Sequence, residues 1–378
     1  MNRLYHSTYR FFLFPKRHKL LFVLVIVFVV CLIFLSPLVR YVPQMEALAE
    51  GFLFGSLDKV AQTDGRTNFL ILGLGGPKNE PSGLTDTILF LSFDHSRGRH
   101  LLLSIPRDIW VSSMQAKLNS AYYYGNRNDG LGMEWTKRFV EEIVGQPIHY
   151  TTVISFEGFV EMVDLFGGVS VNVERGFTDE KYPITGREDD VCGGDPNLSC
   201  RWEKISFSRG LQTLNGSTAL KFVRSRHSEG EEGSDFARSA RQQKMILGVR
   251  EKLLSPWFFL NPIKVDNMLQ LVTRHIETNL PQASTGIFGR ALLYVKSENI
   301  RSEVLDGVYQ KNDKPSFLLN PPVSKEYGNQ WVLVPRTGDW EEVHEWVRCL
   351  LTEDQCTIAQ APVAVPTPTP ARSIKINN

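Results

Sequence analysis

The stretch YTTVISFEGFVEMVDLFGGVSVNV, residues 150–173, contains the patterns of a strand, a helix, a turn and a second strand in succession. Its first residues are mostly β-branched, its middle has apolar residues at helical spacing, and Gly167 and Gly168 suit a tight turn. A strand, a helix and a strand in this order are typical of an α/β protein.

The neighbouring segments extend this pattern in both directions. TNFLILGLGG (67–76) and DTILFLSFD (86–94) predict buried strands, and RHLLLSIPRDIWV (99–111) predicts a third strand that stops at its proline. EWTKRFVEEIVG (134–145) predicts a helix that ends at its terminal glycine, and residues 285–352 continue in a helix–strand–helix style. We therefore expect an α/β sandwich of helices on a central sheet.

Between these parts lie an irregular segment and two further helices. Residues 176–204 are rich in Gly, Asp and Pro, which predicts an insertion loop. LNGSTALKFVRSR (214–226) predicts a short helix that leads into a strand, and SDFARSARQQKMILGVREKLL (234–254) predicts a long amphipathic helix. Ser234 or Asp235 can cap the long helix. Its predicted apolar face contains Phe236, Met245, Ile246 and Val249.

Composition excludes several classes of protein. The chain has 378 residues and a mass of 42.9 kDa, with 42% apolar residues, 22% charged residues and a formal net charge of +1. This composition excludes wholesale disorder, a collagen-like repeat and a polytopic membrane protein. The near-zero charge argues against a nucleic-acid partner, so basic chemistry has to come from locally placed arginines.

The amino-terminal segment predicts a single membrane anchor. Residues 20–39 contain no charged residue, and at about 1.5 Å per residue they reach about 30 Å, the thickness of a bilayer core. Positive charges precede this run, which places the amino terminus in the cytoplasm and the remainder outside it. A cleaved signal peptide with its site at Ala47–Ala49 is the alternative, although that site lies far from the apolar run. The predicted organisation is a cytoplasmic basic tail at 1–19, a transmembrane helix at 20–39, a juxtamembrane linker with some helix at 40–66, an extracytoplasmic domain at 67–352 and a Pro/Thr-rich flexible tail at 353–378.

Four of the five cysteines fall into two near pairs outside the predicted span. Cys192 lies close to Cys200, and Cys349 lies close to Cys356. Four cysteines allow three connectivities, of which the two local loops are favoured by the short spacing and permitted in an oxidising compartment. Zinc is the alternative, although neither pair has C-x-x-C spacing.

The densest group of candidate functional residues is a set of arginines in residues 224–242. Arg224 and Arg226 are two apart and would point the same way on a strand, and Asp235, Arg238 and Gln242 share one face of a helix. Guanidinium groups bind phosphate oxygens bidentately, so convergence of these arginines with Arg241 predicts a pyrophosphate site. The alternative is a solvated helix face that is neutralised by nearby acids.

Two further positions carry plausible chemistry. Asp86 follows a Gly-rich loop and could hold Mg²⁺ against a phosphate, although aspartate is also an ordinary turn residue. Arg107 and Asp108 end a predicted strand, and they form either a structural ion pair or a phosphate ligand with its orienting acid or base.

Together these segments resemble the LytR-CpsA-Psr family of bacterial cell-envelope proteins. The blocks that carry the resemblance occur in the family's order over about residues 67–254. They are NFLILGLGG, LTDTILFLSFD, SIPRDIWV, KLNSAYYYG, FEGFVEMVDLFGGVSVNV, LNGSTALKFVRSRH and SDFARSARQQKMI. The resemblance implies an α/β/α sandwich around a mixed central sheet, preceded by one transmembrane helix.

The resemblance also implies an activity. Such enzymes act outside the membrane, take a glycopolymer from a polyprenyl-pyrophosphate carrier and transfer it to a hydroxyl of peptidoglycan or a similar cell-wall acceptor. The alternatives are a hydrolase that uses water as acceptor and a non-catalytic protein that binds the lipid-linked glycan. Membrane lipid is a further implied partner.

Carried over by position, the resemblance assigns roles to individual residues. Asp86 would coordinate Mg²⁺, and Asp108 would support catalysis or act as a general base. Many family members have a second aspartate near the position of Leu74 and Gly75 and an arginine at that of Leu84, so one metal ligand and one phosphate ligand are missing here. The expected pyrophosphate ligands are Arg107, Arg224, Arg226, Arg238, Arg241 and Gln242.

Overall fold

The computed structural model describes residues 42–75, 83–96, 98–184, 187, 190–233, 235–255, 258, 260–305, 316–353 and 355–356. The predicted span at 20–39 lies outside these ranges, as do the proposed cap Ser234 and most of the predicted tail. Within them, no helix has both the length and the apolar character needed to cross a membrane.

The α-helices alternate with strands along most of the chain. They are α1 (Val42–Phe54), α2 (Ala121–Asp129), α3 (Gly132–Val144), α4 (Phe156–Leu165), α5 (Gly216–Arg224), α6 (Asp235–Leu253), α7 (Pro262–His275), α8 (Gln282–Tyr294) and α9 (Glu341–Thr352). The strands are β1 (Arg66–Leu74), β2 (Thr85–Asp94), β3 (His100–Ser104), β4 (Trp110–Val111), β5 (Ala116–Lys117), β6 (Tyr150–Ser155), β7 (Val169–Val173), β8 (Phe177–Pro183), β9 (Trp202–Phe207), β10 (Gly210–Leu214), β11 (Ile276–Thr278), β12 (Ile300–Val304), β13 (Leu318–Leu319) and β14 (Val334–Pro335).

The central element is a six-stranded sheet in the order β11-β6-β1-β2-β3-β12. Strands β1, β2 and β3 are successively antiparallel, whereas β6 runs parallel to β1 and β12 runs parallel to β3. The sheet is therefore mixed, which confirms the prediction of an α/β fold around a mixed sheet. The strand–helix–strand reading of 150–173 is also confirmed, with Gly167 and Gly168 at positive φ in the turn.

Helices pack on both faces of this sheet. On one face, fully buried Leu70, Leu72 and Phe90 pack in one apolar cluster with residues of α3 and α9. On the other face, Phe69 and Phe93 pack against Phe288 of α8. Burial of strand side chains on both faces accounts for the nearly continuous apolar runs in β1 and β2.

Residues 40–66, the predicted linker, contribute α1 to this packing. Helix α1 crosses α8 so closely that a Cβ atom on Gly51 would lie 1.9 Å from the Ala283 carbonyl oxygen. A side chain at that position would collide with backbone, so the glycine permits the close crossing. Arg290 of α8 also donates a hydrogen bond to the Leu53 carbonyl at 3.1 Å.

A second apolar cluster lies beside the sheet and is built from β7–β10 and helices α4–α7. Its members include Val163, Phe177, Phe222 and Met245, all buried. The predicted long helix is confirmed as α6, and Met245 of its predicted apolar face is buried in this cluster. Ile246, which was predicted for the same face, is 39% exposed.

Two local predictions are wrong. The segment 176–204 is not a loop throughout, because Phe177–Pro183 and Trp202–Phe207 pair as an antiparallel hairpin. The buried residues of β8 are Phe177, Asp179 and Tyr182. The sequence shows no clear apolar alternation there, because one of these residues is charged and further charged residues lie between them. Arg224 ends helix α5 and Arg226 follows it, so these two arginines do not alternate along a strand.

Both predicted local disulfides are present. Cys192 is bonded to Cys200 at the tip of the β8–β9 hairpin, and Cys349 at the end of α9 is bonded to Cys356. Cys192 and Cys200 lie near Asp190, but as disulfide sulfurs they are not thiolate ligands for a metal.

Candidate active site

Asp86 is the point at which three distant parts of the chain meet. Its Oδ1 atom forms an ion pair with Nη1 of Arg107, which lies in the loop after β3, and its Oδ2 atom lies 3.9 Å from Nη2 of Arg224 at the end of α5. The side chains of Arg107 and Asp86 are 24% and 21% exposed, so solvent and a ligand can reach them. Two cations on one carboxylate leave a net positive site that favours an anion.

The surroundings of Asp86 hold this arrangement tightly. A Cβ atom on Gly75 would lie 2.8 Å from Oδ2 of Asp86, and the Gly75 N–H donates to the Leu84 carbonyl at 2.9 Å. The guanidinium of Arg224 stacks over the ring of Phe156 at 4.7 Å from its centroid. The carboxylate is therefore bounded by backbone on one side and by arginines on the other.

Asp108 has two cationic partners of its own. Its Oδ1 atom accepts from Nζ of Lys117 at 2.8 Å, and its Oδ2 atom lies 3.4 Å from Nε of Arg107. Lys117 pairs with Trp110 in the short β4–β5 hairpin, and the Asn119 N–H donates to the Arg107 carbonyl at 3.0 Å. Lys117 was not among the predicted ligands, and its only sequence signal was its position nine residues after Asp108.

The charge of Arg107 is maintained by its neighbours. Burial lowers the pKa of its guanidinium, but the charges of Asp86 and Asp108 and their hydrogen bonds outweigh this effect and raise the pKa overall. Arg107 is therefore a permanent cation that can hold phosphate oxygens at any physiological pH.

Asp179 of β8 holds the loop that carries Arg226, and sequence reasoning did not point to it. It is fully buried, and its Oδ2 atom accepts hydrogen bonds from the Ser225 hydroxyl at 2.8 Å and from the N–H groups of Arg226 and His227 at 3.2 and 3.1 Å. Burial opposes its ionisation, but the hydrogen bonds outweigh burial and lower its pKa. A buried carboxylate thus fixes the loop that carries Arg226. No motif marks it, because its partners lie more than forty residues away.

Arg241 performs a structural task instead of facing the site. It is 3% exposed, and its guanidinium donates to the carbonyls of Phe222, Ser225 and Glu232 at 3.0, 2.5 and 2.9 Å. Burial lowers its pKa to about 10, partly offset by the charge of Glu232. These donors are committed to backbone, so Arg241 joins α6 to the end of α5 and positions the arginines that both helices carry.

The remaining predicted ligands are Arg226, Arg238 and Gln242. Arg226 follows α5 and Arg238 and Gln242 belong to α6, and all three are partly exposed. Arg238 lies near enough to Arg241 for its charge to lower the pKa of that residue. The structure joins Asp108, Arg107, Asp86 and Arg224 in one chain of ion pairs, and Arg226 follows two residues after Arg224 in the loop held by Asp179.

The site offers Mg²⁺ few protein ligands. Asp86 and Asp108 are both paired with cationic side chains. Among the described residues, the cluster of three potential metal-ligating side chains lies elsewhere and consists of Asp190, Cys192 and Cys200. One carboxylate with phosphate oxygens is an ordinary way to hold Mg²⁺. Asp86 therefore fits a metal that arrives with a phosphate ligand.

An incompletely covered apolar surface leads away from Asp86 along the sheet. On the face that carries Thr87 and Gly73, the side chains of Ile71, Leu91 and Ile154 are only partly buried although β1, β2 and β6 are interior strands. The opposite face of the same strands is fully buried, at Leu70 and Leu72 for example. This surface is suited to an apolar ligand chain.

The chain is similar to known proteins in sequence and in fold. The LytR_cpsA_psr family model matches residues 46–326. Two relatives are named polyisoprenyl-teichoic acid–peptidoglycan teichoic acid transferase TagU. That of Oceanobacillus iheyensis is 27% identical over 216 residues, which are 56% of this chain and 58% of the relative. That of Bacillus subtilis is 25% identical over 228 residues, which are 59% of this chain and 63% of the relative. The matches thus span less than two thirds of these relatives.

Solved structures share the fold. The Lin1025 protein of Listeria innocua superposes with a TM-score of 0.51 and 24% identity over 76% of this chain and 100% of that chain. TagV of B. subtilis gives a TM-score of 0.52 and 22% identity over 78% of this chain and 100% of that chain.

Proposed function

This chain belongs to the LytR-CpsA-Psr family, and from that premise we propose that it is a membrane-anchored phosphotransferase that moves a glycopolymer from a polyprenyl-pyrophosphate carrier to a hydroxyl of peptidoglycan or a similar acceptor. The observation that carries the proposal is the convergence of Arg107 and Arg224 on Asp86. Arginines from separate elements meet at a partly exposed site, which is the arrangement that a pyrophosphate requires. The names of the TagU relatives support the same substrate class.

In the proposed reaction, an acceptor oxygen attacks the phosphorus that carries the glycan. A new O–P bond forms, the bridging P–O bond of the pyrophosphate breaks, and polyprenyl phosphate leaves with the bond's electron pair. Arg107 and Arg224 hold the phosphate oxygens and stabilise the negative charge that shifts to the leaving phosphate. The acceptor proton passes to a base, for which Asp108 is the candidate because it contacts Arg107 and is a carboxylate separate from Asp86.

Mg²⁺ would be held by Asp86 together with phosphate oxygens, and it would supply further charge neutralisation at the leaving group. Arg107 and Arg224, which pair with Asp86, would bind the phosphate oxygens. Asp108, held by Lys117, keeps Arg107 in place.

The half-exposed sheet face offers a place for the lipid. Ile71, Leu91 and Ile154 line an apolar surface that begins near Gly73 and Phe156, and Phe156 contacts Arg224. A polyprenyl chain on this surface would place its pyrophosphate at Asp86. Transfer of each buried CH₂ group from water contributes about 0.8 kcal/mol, so a long chain binds strongly.

The cellular setting follows from the amino-terminal sequence. Residues 20–39 would form a single-pass anchor in the cell membrane with a cytoplasmic amino terminus and an extracytoplasmic domain. The two disulfides support an oxidising compartment for that domain.

The test uses the full-length protein in nanodiscs with a polyprenyl-pyrophosphate oligosaccharide and peptidoglycan oligomers, with products followed by mass spectrometry. We expect a phosphodiester-linked glycan on peptidoglycan, and at least a hundredfold loss in Arg107→Ala and Arg224→Ala, because an oxyanion ligand contributes about that much. Arg348→Ala, an exposed arginine on α9, is the matched control.

Other outcomes of this assay would indicate a different function. Release of free phosphoglycan without transfer would identify a hydrolase, and binding without turnover would identify a receptor. Full activity of both site variants would reject the site itself.

A further inference from the structure

The β8–β9 hairpin carries a surface recess that the proposed reaction does not use. The recess has a volume of about 510 Å³, and its lining includes Thr178, Glu180, Ser206 and Glu229. Its floor is the outer face of the hairpin, where Thr178 and Ser206 hydroxyls lie 2.9 Å apart and Lys204 pairs with Glu180 at 2.7 Å. A volume of this size accommodates a small-molecule ligand such as a disaccharide.

Two aromatic rings lie at the end of this face. Trp202 begins β9, and its indole packs edge-to-face on the imidazole of His227 at 6.2 Å between centroids. Trp202 lies on the same side of β9 as Ser206, four residues away, which is about 13 Å along a strand. Burial and the charge of Arg226 lower the pKa of His227, so its ring is neutral at physiological pH.

The loop after α5 connects these rings to the phosphate site. Residues 225–229 run from the Asp179 anchor past Arg226 and His227 to Glu229 at the recess. The Ser228 hydroxyl in this loop is buried and has no hydrogen-bond partner among the residues described here. Across the hairpin, Pro183 pairs with Trp202. The adjacent Tyr182 points to the buried side of the hairpin, where burial raises the pKa of its hydroxyl and the nearby charge of Arg224 partly offsets this effect. The rings are therefore connected to the proposed phosphate site through Arg226, which directly precedes His227 in this loop.

We propose that the outer face of the β8–β9 hairpin, from Trp202 and His227 to the recess at Ser206, is a binding site for a pyranose oligosaccharide. The chemistry is complementary: the apolar C–H face of a sugar ring packs on an indole, while hydroxyl and carboxylate groups pair with sugar hydroxyls. The length of the face matches two to three sugar units. The Cys192–Cys200 bond closes the hairpin tip, so the platform is held in place before a sugar binds.

This inference rests on the proposed function for its source of sugar, which is either the glycan on the carrier or the peptidoglycan acceptor. Three ligands separate these sources: bare polyprenyl pyrophosphate, polyprenyl-pyrophosphoryl disaccharide and a soluble peptidoglycan oligosaccharide. Affinities are measured with the full-length protein in nanodiscs. The variants are Trp202→Ala and Ser206→Trp, which fills the recess, and the control is Trp331→Ala, an exposed tryptophan (46%) elsewhere.

We expect Trp202→Ala and Ser206→Trp to weaken binding of one sugar ligand by about tenfold, which is the scale of one lost aromatic contact. Binding of bare polyprenyl pyrophosphate and the behaviour of Trp331→Ala should match the wild type. Loss confined to the glycosylated carrier assigns the face to the donor glycan, and loss confined to peptidoglycan assigns it to the acceptor.

The inference is overturned if both variants bind all three ligands like the wild type, or if Trp331→Ala shows the same loss. Failure of the proposed function has a different signature. The wild type would then bind neither pyrophosphate carrier, while any binding of the soluble oligosaccharide would still depend on Trp202.

Discussion

At the scale of single residues, buried polar groups organise the site more than the exposed arginines do. Asp179 has no solvent exposure, yet it accepts hydrogen bonds from three consecutive residues, Ser225, Arg226 and His227. An unpaired buried N–H group costs about 1–3 kcal/mol, so this loop has one strongly preferred conformation. The Asp179 carboxylate thus holds Arg226, an expected phosphate ligand, in position by accepting a hydrogen bond from its backbone N–H group.

We predict that Asp179→Asn lowers activity and also removes a pH-dependent part of the stability. Because the folded-state pKa of Asp179 is depressed, its contribution is complete above its unfolded pKa of about 3.9 and is lost as the pH falls through the folded pKa. Urea unfolding at pH 7 and pH 3 measures this, with a wild-type advantage of about 1–3 kcal/mol at pH 7 that shrinks at pH 3. An equal difference at both pH values would contradict the prediction.

Gly75 is the second informative residue, because it lies against the carboxylate of Asp86 and close to where the family resemblance implies a second aspartate. A Cβ atom at this position would lie 2.8 Å from Oδ2 of Asp86, so the Asp86 carboxylate has to turn aside in any variant. We predict that Gly75→Asp then places a second carboxylate beside Asp86 and strengthens Mg²⁺ binding in the presence of a pyrophosphate ligand. Calorimetric titration of Mg²⁺ measures the change, with Gly75→Asn as the uncharged control. Equal Mg²⁺ affinities of the aspartate and asparagine variants would show that charge at this position does not reach the metal.

At the scale of elements, the contact between α5 and α6 determines where the arginines stand. Arg241 of α6 caps carbonyls at the end of α5, and Glu232 lies 3.1 Å from its Nη1 atom. The position of Arg224 on one helix and Arg238 on the other thus depends on one buried guanidinium.

We predict that Arg241→Lys destabilises the fold by about 3 kcal/mol and lowers activity, because a lysine has no planar fork to serve three carbonyls and removal of a buried partner is costly. Thermal unfolding measures the loss of stability, and the transfer assay measures activity. Arg250→Lys on the same helix is a useful control, since Arg250 is partly exposed and caps only the end of α8. An Arg241→Lys variant that unfolds at the same temperature as the wild type would refute the structural role assigned to Arg241.

At the scale of the whole molecule, the two faces of the central sheet differ in how completely they are covered. One face is sealed by α3 and α9, whereas Ile71, Leu91 and Ile154 on the other remain partly exposed. The asymmetry leaves an apolar surface on a well-packed scaffold, which is the property that a lipid-binding domain needs.

We predict that Leu91→Trp preserves folding but weakens lipid binding, because the larger ring fills space that the polyprenyl chain would occupy. Leu72→Trp on the sealed face should instead destabilise the protein by about 1–3 kcal/mol, since no space is available there. Thermal melting and binding of a fluorescent polyprenyl phosphate separate the two effects. Unchanged lipid binding by Leu91→Trp would place the lipid elsewhere.

The sequence by itself determined the class of fold and most of its elements. Continuous apolar runs predicted β1–β3, β-branched residues predicted β6, and apolar residues at a spacing of 3.6 predicted α3, α4 and α6, because burial of one or both faces leaves a pattern that can be read locally. It also singled out Asp86, Arg107 and Arg224, which the structure brings into contact, and the close cysteine spacing favoured the two disulfides.

Only the tertiary structure decided what these residues contact. The β8–β9 hairpin was not predicted, because its pattern is broken by charged residues that face outward. Arg241 resembles its neighbours in sequence, yet its burial makes it a structural residue, and Asp179 gains its role from partners more than forty positions away. Local patterns encode which side chains are buried, whereas the pairing of charges depends on long-range packing that no local pattern contains.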